Sequence, residues 1–122
     1  MGDDAVILRG SPGERGAEVT QAEALYSTVH GAGRVMGRMA AKGKWKRGRQ
    51  VKRGRISHEM MNEWLSRKGV VRRGGDLDEA PQAYRRLPDV LAAQGDTVEI
   101  LHTLRPFIVC MAPGDTVDPY KD

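Results

Sequence analysis

Ser57–Val71 reads SHEMMNEWLSRKGVV, and this stretch holds a complete helix followed at once by extended chain. Ser57 has the hydroxyl of an N-cap, placed ahead of the first apolar residues. Met60, Met61, Trp64 and Leu65 recur at the spacing of one helical face, which can therefore be buried. Arg67 and Lys68 fall in the last turn, where positive charge suits the carbonyl end of the helix, and Gly69 stops it. Val70-Val71 then has the β-branched character of a strand. A helix running straight into a strand points to an α+β chain.

Working outward toward the carboxy terminus, Pro88 stands where a helix N1 proline would. Val90-Leu-Ala-Ala93 follow it, and Gly95 ends the helix. Val98–Met111 (VEILHTLRPFIVCM) reads as extended chain broken at Pro106, and the tail from Pro113 is polar and turn-rich. Toward the amino terminus, Ala5–Arg9 (AVILR) reads as a strand ended by Gly10-Ser-Pro-Gly13. Thr20 and Glu23 have capping-box spacing, which predicts a helix from Thr20 through Tyr26 to the glycines after His30. Val35, Met36 and Met39 have helical spacing across 33–41. The sequence thus divides into a strand-loop-helix segment over 1–41, a basic segment over 42–55, an α+β part over 56–111 and a tail over 112–122.

The net charge of +4 conceals an uneven distribution. Residues 34–73 carry fourteen Lys or Arg against Glu59 and Glu63, a local balance of +12, while the rest of the chain stands at −8. Residues 42–55 (KGKWKRGRQVKRGR) hold eight of those basic residues with three Gly and Trp45, and read as an exposed, flexible insertion of low complexity. A stripe this basic fits a polyanion, nucleic acid foremost, through Arg38, Lys44, Lys46, Arg47, Arg49, Lys52 and Arg53. A solvated basic loop with no partner accounts for it equally well. Cys110 is the single cysteine, which excludes an intrachain disulfide and a Cys-based zinc site, and its apolar surroundings predict a core position. No apolar run approaches the roughly 20 residues of a membrane span. Met1-Gly-Asp-Asp lacks the character of a signal peptide, so the expected compartment is the cytoplasm, with no membrane partner.

Several short motifs fail on inspection. Gly31-Ala-Gly33-Arg-Val-Met-Gly37 is one residue too long for the dinucleotide fingerprint, Gly43-Lys44 is followed by Trp45 instead of Ser or Thr, and His58-Glu59 lacks the second zinc-protease histidine. What remains is His30-Gly-Ala-Gly-Arg34. Small neighbours leave the imidazole of His30 uncrowded, and Gly31 and Gly33 let backbone N–H groups approach an anion. Arg34 and Arg38, one helical turn apart in the predicted helix, would both reach the same phosphate. A neutral imidazole can attack phosphorus where positive charge surrounds the phosphate. A histidine near a helix end is more often a capping or packed residue, so these residues alone leave the role open.

His30-Gly-Ala-Gly-Arg34-Val-Met-Gly-Arg38 resembles the H-G-A-G-R-x-x-S-R signature of RtcB-type RNA-splicing ligases, with Gly37 in place of the usual Ser. Met1–Gly10 resembles the strand that follows the family's G-S-M-G loop. Asp78-Glu-Ala-Pro81-Gln-Ala-Tyr84-Arg resembles its D-E-x-P-x-A-Y-K segment. Ala93-Gln94, Asp96, Val98-Glu99 and Thr103-Leu-Arg-Pro106 resemble its last conserved stretch. The resemblance covers most of the chain outside 42–55 and implies the carboxy-terminal part of an RtcB-like α/β ligase fold.

It also implies a chemistry. The histidine matching His30 attacks the α-phosphate of GTP to give a guanylyl-histidine. The GMP then passes to an RNA 3′-phosphate, and a 5′-hydroxyl end attacks the activated end. Substrates are RNA with 2′,3′-cyclic phosphate or 3′-phosphate ends and 5′-hydroxyl ends, and manganese supports the reaction. The GTP-binding residues carried over are His30, Gly31, Ala32, Gly33, Arg34 and Tyr84. Two departures bear on this. The family's manganese ligands lie upstream of every motif present, so the resemblance implies a partner segment or chain that carries them, and the start at a family-loop methionine implies a truncated frame or a split gene. The family's terminal lysine is matched by Met111, leaving Lys121 as the candidate for that guanine contact. A second reading, of another class, is a non-catalytic RNA-binding fragment that uses 42–55, with Trp45 for base stacking.

Overall fold

The computed structural model describes residues 1–11, 15–113 and 116. In chain order its elements are β1 (Ala5–Gly10), α1 (Arg15–Glu23), α2 (Arg38–Lys42), β2 (Gly43–Lys46), β3 (Arg49–Arg53), α3 (His58–Lys68), β4 (Val71–Arg73), α4 (Leu87–Gln94), β5 (Val98–Leu104) and β6 (Ile108–Cys110). Single 3-10 turns occur at Leu77–Glu79, Pro81–Ala83 and Gly95–Thr97. The mixture is α+β, and it falls into two compact units. One joins Met1–Gly2, Val35–Tyr84 and the chain from Phe107; the other joins Asp3–Arg34 and Arg85–Pro106.

The first unit is organised by α3. Ser57 accepts from the Met60 N–H at 3.2 Å, and Gly69 caps the far end in the left-handed region. Met61, Trp64 and Leu65 are buried, while Met60 lies at the edge of the stripe and stays exposed. Ala41, Ile56, Val70, Leu77, Ala80 and Ala83 complete the core around them. Met61 is fully buried, so Met61→Ala belongs to the class of substitution that costs about 2–5 kcal/mol.

β4 pairs in parallel with β6, Arg72 opposite Val109. Alternation along β6 packs Val109 on the core and leaves Ile108 and Cys110 exposed. The core position expected for Cys110 is thus corrected: the apolar run is a short strand with one covered face.

The basic segment 42–55 is also more regular than its composition suggests. β2 and β3 form an antiparallel hairpin, turning through Arg47 at φ 50 and Gly48 at φ 74. Positive φ at both central residues is the type I′ pattern that suits a two-residue hairpin. The hairpin leaves α2 through tight backbone packing. A Cβ on Gly43 would lie 2.4 Å from the Lys52 carbonyl oxygen, and one on Gly54 would lie 2.3 Å from that of Ala41. Side chains are excluded at both positions.

In the second unit β1 pairs antiparallel with β5, with a bulge between Ile7 and Leu8. Arg9 and Glu99 face each other across the pair, 2.8 Å apart. The Gln21 amide donates to the carbonyls of Ser11 (2.9 Å) and Thr97 (2.7 Å), tying α1 to both strand ends. Pro88 occupies the first turn of α4 and Gly95 ends it, as the sequence predicts.

The helix expected from Thr20 is corrected at both ends. Thr20 lies inside α1, its carbonyl accepting from the Ala24 N–H at 3.0 Å, so it is no cap. The helix stops at Glu23. Tyr26 N–H reaches the Gln21 carbonyl and Leu25 N–H reaches that of Ala22, the paired bonds of a Schellman ending. Leu25 takes the left-handed position at φ 53, where glycine is usual.

Candidate functional site

Because α1 ends early, His30 lies on an irregular loop, and its exposure follows from that. Two hydrogen bonds within the same unit hold the loop. On one side the Thr28 hydroxyl donates to the side-chain oxygen of Gln94 at 2.7 Å. On the other the Arg85 N–H donates to the Gly33 carbonyl at 2.9 Å. His30, Gly31 and Ala32 lie between these anchors. Gly33 has φ 76, a conformation that a side chain would strain, and no heavy atom stands within 4 Å of where a Cβ on Gly31 would be. The loop therefore presents an imidazole beside open backbone, with the half-buried Arg34 at its end. Sequence reading did not find Thr28, Gln94 or Arg85 as the residues that fix the loop. Their roles depend on pairings across more than fifty residues.

The helical turn expected between Arg34 and Arg38 does not form. Helix α2 starts at Arg38, with Gly37 as an extended N-cap at φ −69 and ψ 159. Arg38 belongs to the first unit, where its Nε lies 3.8 Å from Asp78 and 3.8 Å from Glu79. Lys42 Nζ stands 3.5 Å from Asp76 and 3.8 Å from Asp78. Asp78 is 1% exposed, so this cluster of cations and carboxylates supports a buried charge. Tyr84 donates its hydroxyl to Glu79. Arg38 and Tyr84 thus share one acidic pair, and Asp78-Glu79 reads as the framework that orients both.

The remaining basic candidates lie on the hairpin. Lys44, Lys46, Arg47, Arg49, Lys52 and Arg53 are all exposed. Lys44 opposes Lys52 and Lys46 opposes Arg49. Like charges placed directly opposite destabilise a strand pair, so the hairpin holds positive charge against its own repulsion. Lys121 lies outside the described residues.

Among the described residues no three His, Cys, Asp or Glu come together as a metal-binding group. His30 and His102 belong to one unit, His58 and Cys110 to the other. No helix among the described residues is long and apolar enough to cross a membrane.

A family model described as tRNA-splicing ligase RtcB matches residues 1–112. The chain is 33% identical over 112 residues to the RNA-splicing ligase RtcB of Escherichia coli strain K12, a match covering 91% of this chain and 22% of that protein. It is 31% identical over 112 residues to the tRNA-splicing ligase RtcB of Pyrococcus furiosus (87% of this chain, 10% of the relative). The match to the tRNA-splicing ligase RtcB of Archaeoglobus fulgidus is 40% identical over 95 residues (70% and 17%). The chain belongs to the RtcB family. It spans less than a quarter of the length of these relatives.

Proposed function

We propose that this chain supplies the nucleophile segment of a GTP-dependent RNA ligase. The ligase joins RNA 2′,3′-cyclic phosphate or 3′-phosphate ends to 5′-hydroxyl ends through a guanylyl-histidine on His30. The observation that carries the reading is the exposed imidazole of His30 on a glycine-flanked loop held at Thr28 and Gly33, in a chain of the RtcB family. An imidazole nitrogen forms a bond to the α-phosphorus of GTP as the bond to pyrophosphate breaks. The RNA 3′-phosphate then displaces the imidazole and takes the GMP. The 5′-hydroxyl oxygen attacks that activated phosphorus, and GMP leaves.

On this reading Gly31, Ala32 and Gly33 line the nucleotide with backbone and Arg34 offsets the charge of its phosphates; Tyr84 and Lys121 are assigned to the guanine by the family resemblance alone. Donors aimed where charge develops are the main source of rate in such steps. Manganese has no ligand set among the described residues, so no step here is drawn through it. Its ligands belong to a further segment or partner chain, and the reaction belongs to the cytoplasm. The test uses the complete protein, meaning this chain with whatever carries those ligands. GTP labelled at the α-phosphate, with manganese, is expected to leave label on the protein, and His30→Ala to abolish it. Label that persists in His30→Ala defeats the assignment.

The hairpin favours a second reading, a non-catalytic RNA-binding fragment using residues 42–55. RNA binding without any protein labelling, in the complete protein, would select it.

A further inference from the structure

The hairpin sorts its side chains by a single irregularity. Its register runs Lys46 opposite Arg49, Trp45 opposite Gln50, then Lys44 opposite Lys52 and Gly43 opposite Arg53, so Val51 is left over as a bulge. Directly opposed residues share a face. Lys44, Lys46, Arg49 and Lys52 therefore stand on one side, and Trp45, Gln50 and Arg53 on the other.

The second side is not a free surface. Trp45, Gln50 and Arg53 line a groove of about 950 Å³ whose other walls include Met39, Met60 and His58, all within the first unit. Of the four cations on the first side, Lys46, Arg49 and Lys52 are absent from it, while Lys44 is part of its lining. Trp45 is 61% exposed, Met39 66% and Met60 43%, so a flat aromatic ring and two pliable thioethers are open to solvent together. Asp76 is the one carboxylate in the lining, and it is already engaged. It accepts from the Leu77 N–H at 2.7 Å and faces Lys42 at 3.5 Å. Lys44, Arg53 and Arg55 also line the groove, and among the described residues none of the three is ion-paired to a carboxylate. The groove therefore joins an apolar aromatic surface to excess positive charge.

We propose that this groove holds an unpaired nucleobase of single-stranded RNA stacked on Trp45, while the opposite side of the hairpin meets phosphates of any strand. The proposal rests on the RNA-ligase reading only in taking RNA as the polyanion. Every base has a stacking face, so the site is tolerant of sequence but demands a base free of its partner. A duplex offers its phosphates to Lys46 and Arg49 yet keeps its bases from Trp45. The hairpin would thus prefer unpaired ends over continuous helix.

The experiment titrates the full chain with an oligouridylate of about ten nucleotides, a blunt RNA duplex of the same length, and polyglutamate. Binding is read from the fluorescence anisotropy of an end-labelled RNA, which also serves the Trp45 variants, and tryptophan quenching in the unaltered chain reports contact with Trp45, because Trp64 is buried and Trp45 is not. The single strand is expected to quench more than the duplex. Trp45→Ala is expected to weaken single-strand binding roughly five-fold or more and leave duplex binding unchanged, with Trp45→Phe restoring most of the loss. Lys46→Gln with Arg49→Gln should weaken both RNA forms. Equal loss for strand and duplex in Trp45→Ala, or no loss, overturns the proposal, as does polyglutamate quenching as strongly as oligouridylate. If the unaltered chain binds neither RNA, the RNA reading of the hairpin falls too. If it binds both and Trp45→Ala behaves identically, only the base site falls.

Discussion

The Thr28 hydroxyl donates to the Gln94 side-chain oxygen over 2.7 Å, joining the loop two residues before His30 to the end of α4. A neutral, exposed hydrogen bond is worth about 0.5–1.5 kcal/mol. Thr28→Val and Gln94→Leu are each expected to slow guanylylation of the complete protein by about two- to twelve-fold. The double variant should be no slower than the worse single one, since both remove the same bond. Additive losses in labelling rate would show that the pair does not act as a unit.

The chemical nature of the adduct is a separate check. A phosphoramidate on His30 is cleaved by mild acid and survives alkali, unlike a serine or threonine phosphoester. Arg34→Ala is expected to lower the rate of labelling without changing this stability profile, because on the proposed reading Arg34 would lend charge to the phosphate and contribute no bond. An acid-stable adduct, or one mapped to a lysine, would rule out His30 as the attacking group.

RNA binding by the hairpin should weaken steeply with salt. If about five cations meet single-stranded phosphates, the log–log slope is roughly −3.5. Lys46→Gln with Arg49→Gln should flatten it by roughly 1.4. An affinity indifferent to salt, measured by titration across a range of ionic strength, would mark the hairpin as a solvated surface.

Gly43→Ala tests the junction of α2 and the hairpin. The glycine has φ 86, and the added methyl would meet the Lys52 carbonyl at 2.4 Å. A cost of about 1–3 kcal/mol is expected for the backbone conformation alone, read as a lower urea midpoint. Gly31→Ala, with open space around it, should leave the midpoint unchanged.

Helix ends are legible in the sequence where neighbours in the chain decide the outcome. Ser57, Gly69, Pro88 and Gly95 mark their helix ends because caps act within one turn. The motif around His30 is visible in the sequence, but the helix expected to reach its glycines stops at Glu23, and the anchors of the resulting loop lie far away in the chain. The Thr20–Glu23 spacing misled because it repeats a capping pattern inside a helix that starts at Arg15. Composition hid the hairpin, since its strands are set by an Arg47-Gly48 turn and by pairing, and their Lys and Arg content favours neither state. Cys110 is exposed where its apolar neighbours suggest a core position, because hydropathy alone cannot tell which face of a short strand finds cover.

If the hairpin binds RNA as proposed, its facing cations, Lys44 with Lys52 and Lys46 with Arg49, would couple its folding to that ligand. Dissolved ions relax the repulsion between strands, yet the same ions compete for the phosphates. Salt should therefore firm the empty hairpin while loosening its hold on RNA. A bound polyanion does what salt does for the strands without leaving the site open, so occupancy and order rise together by linkage.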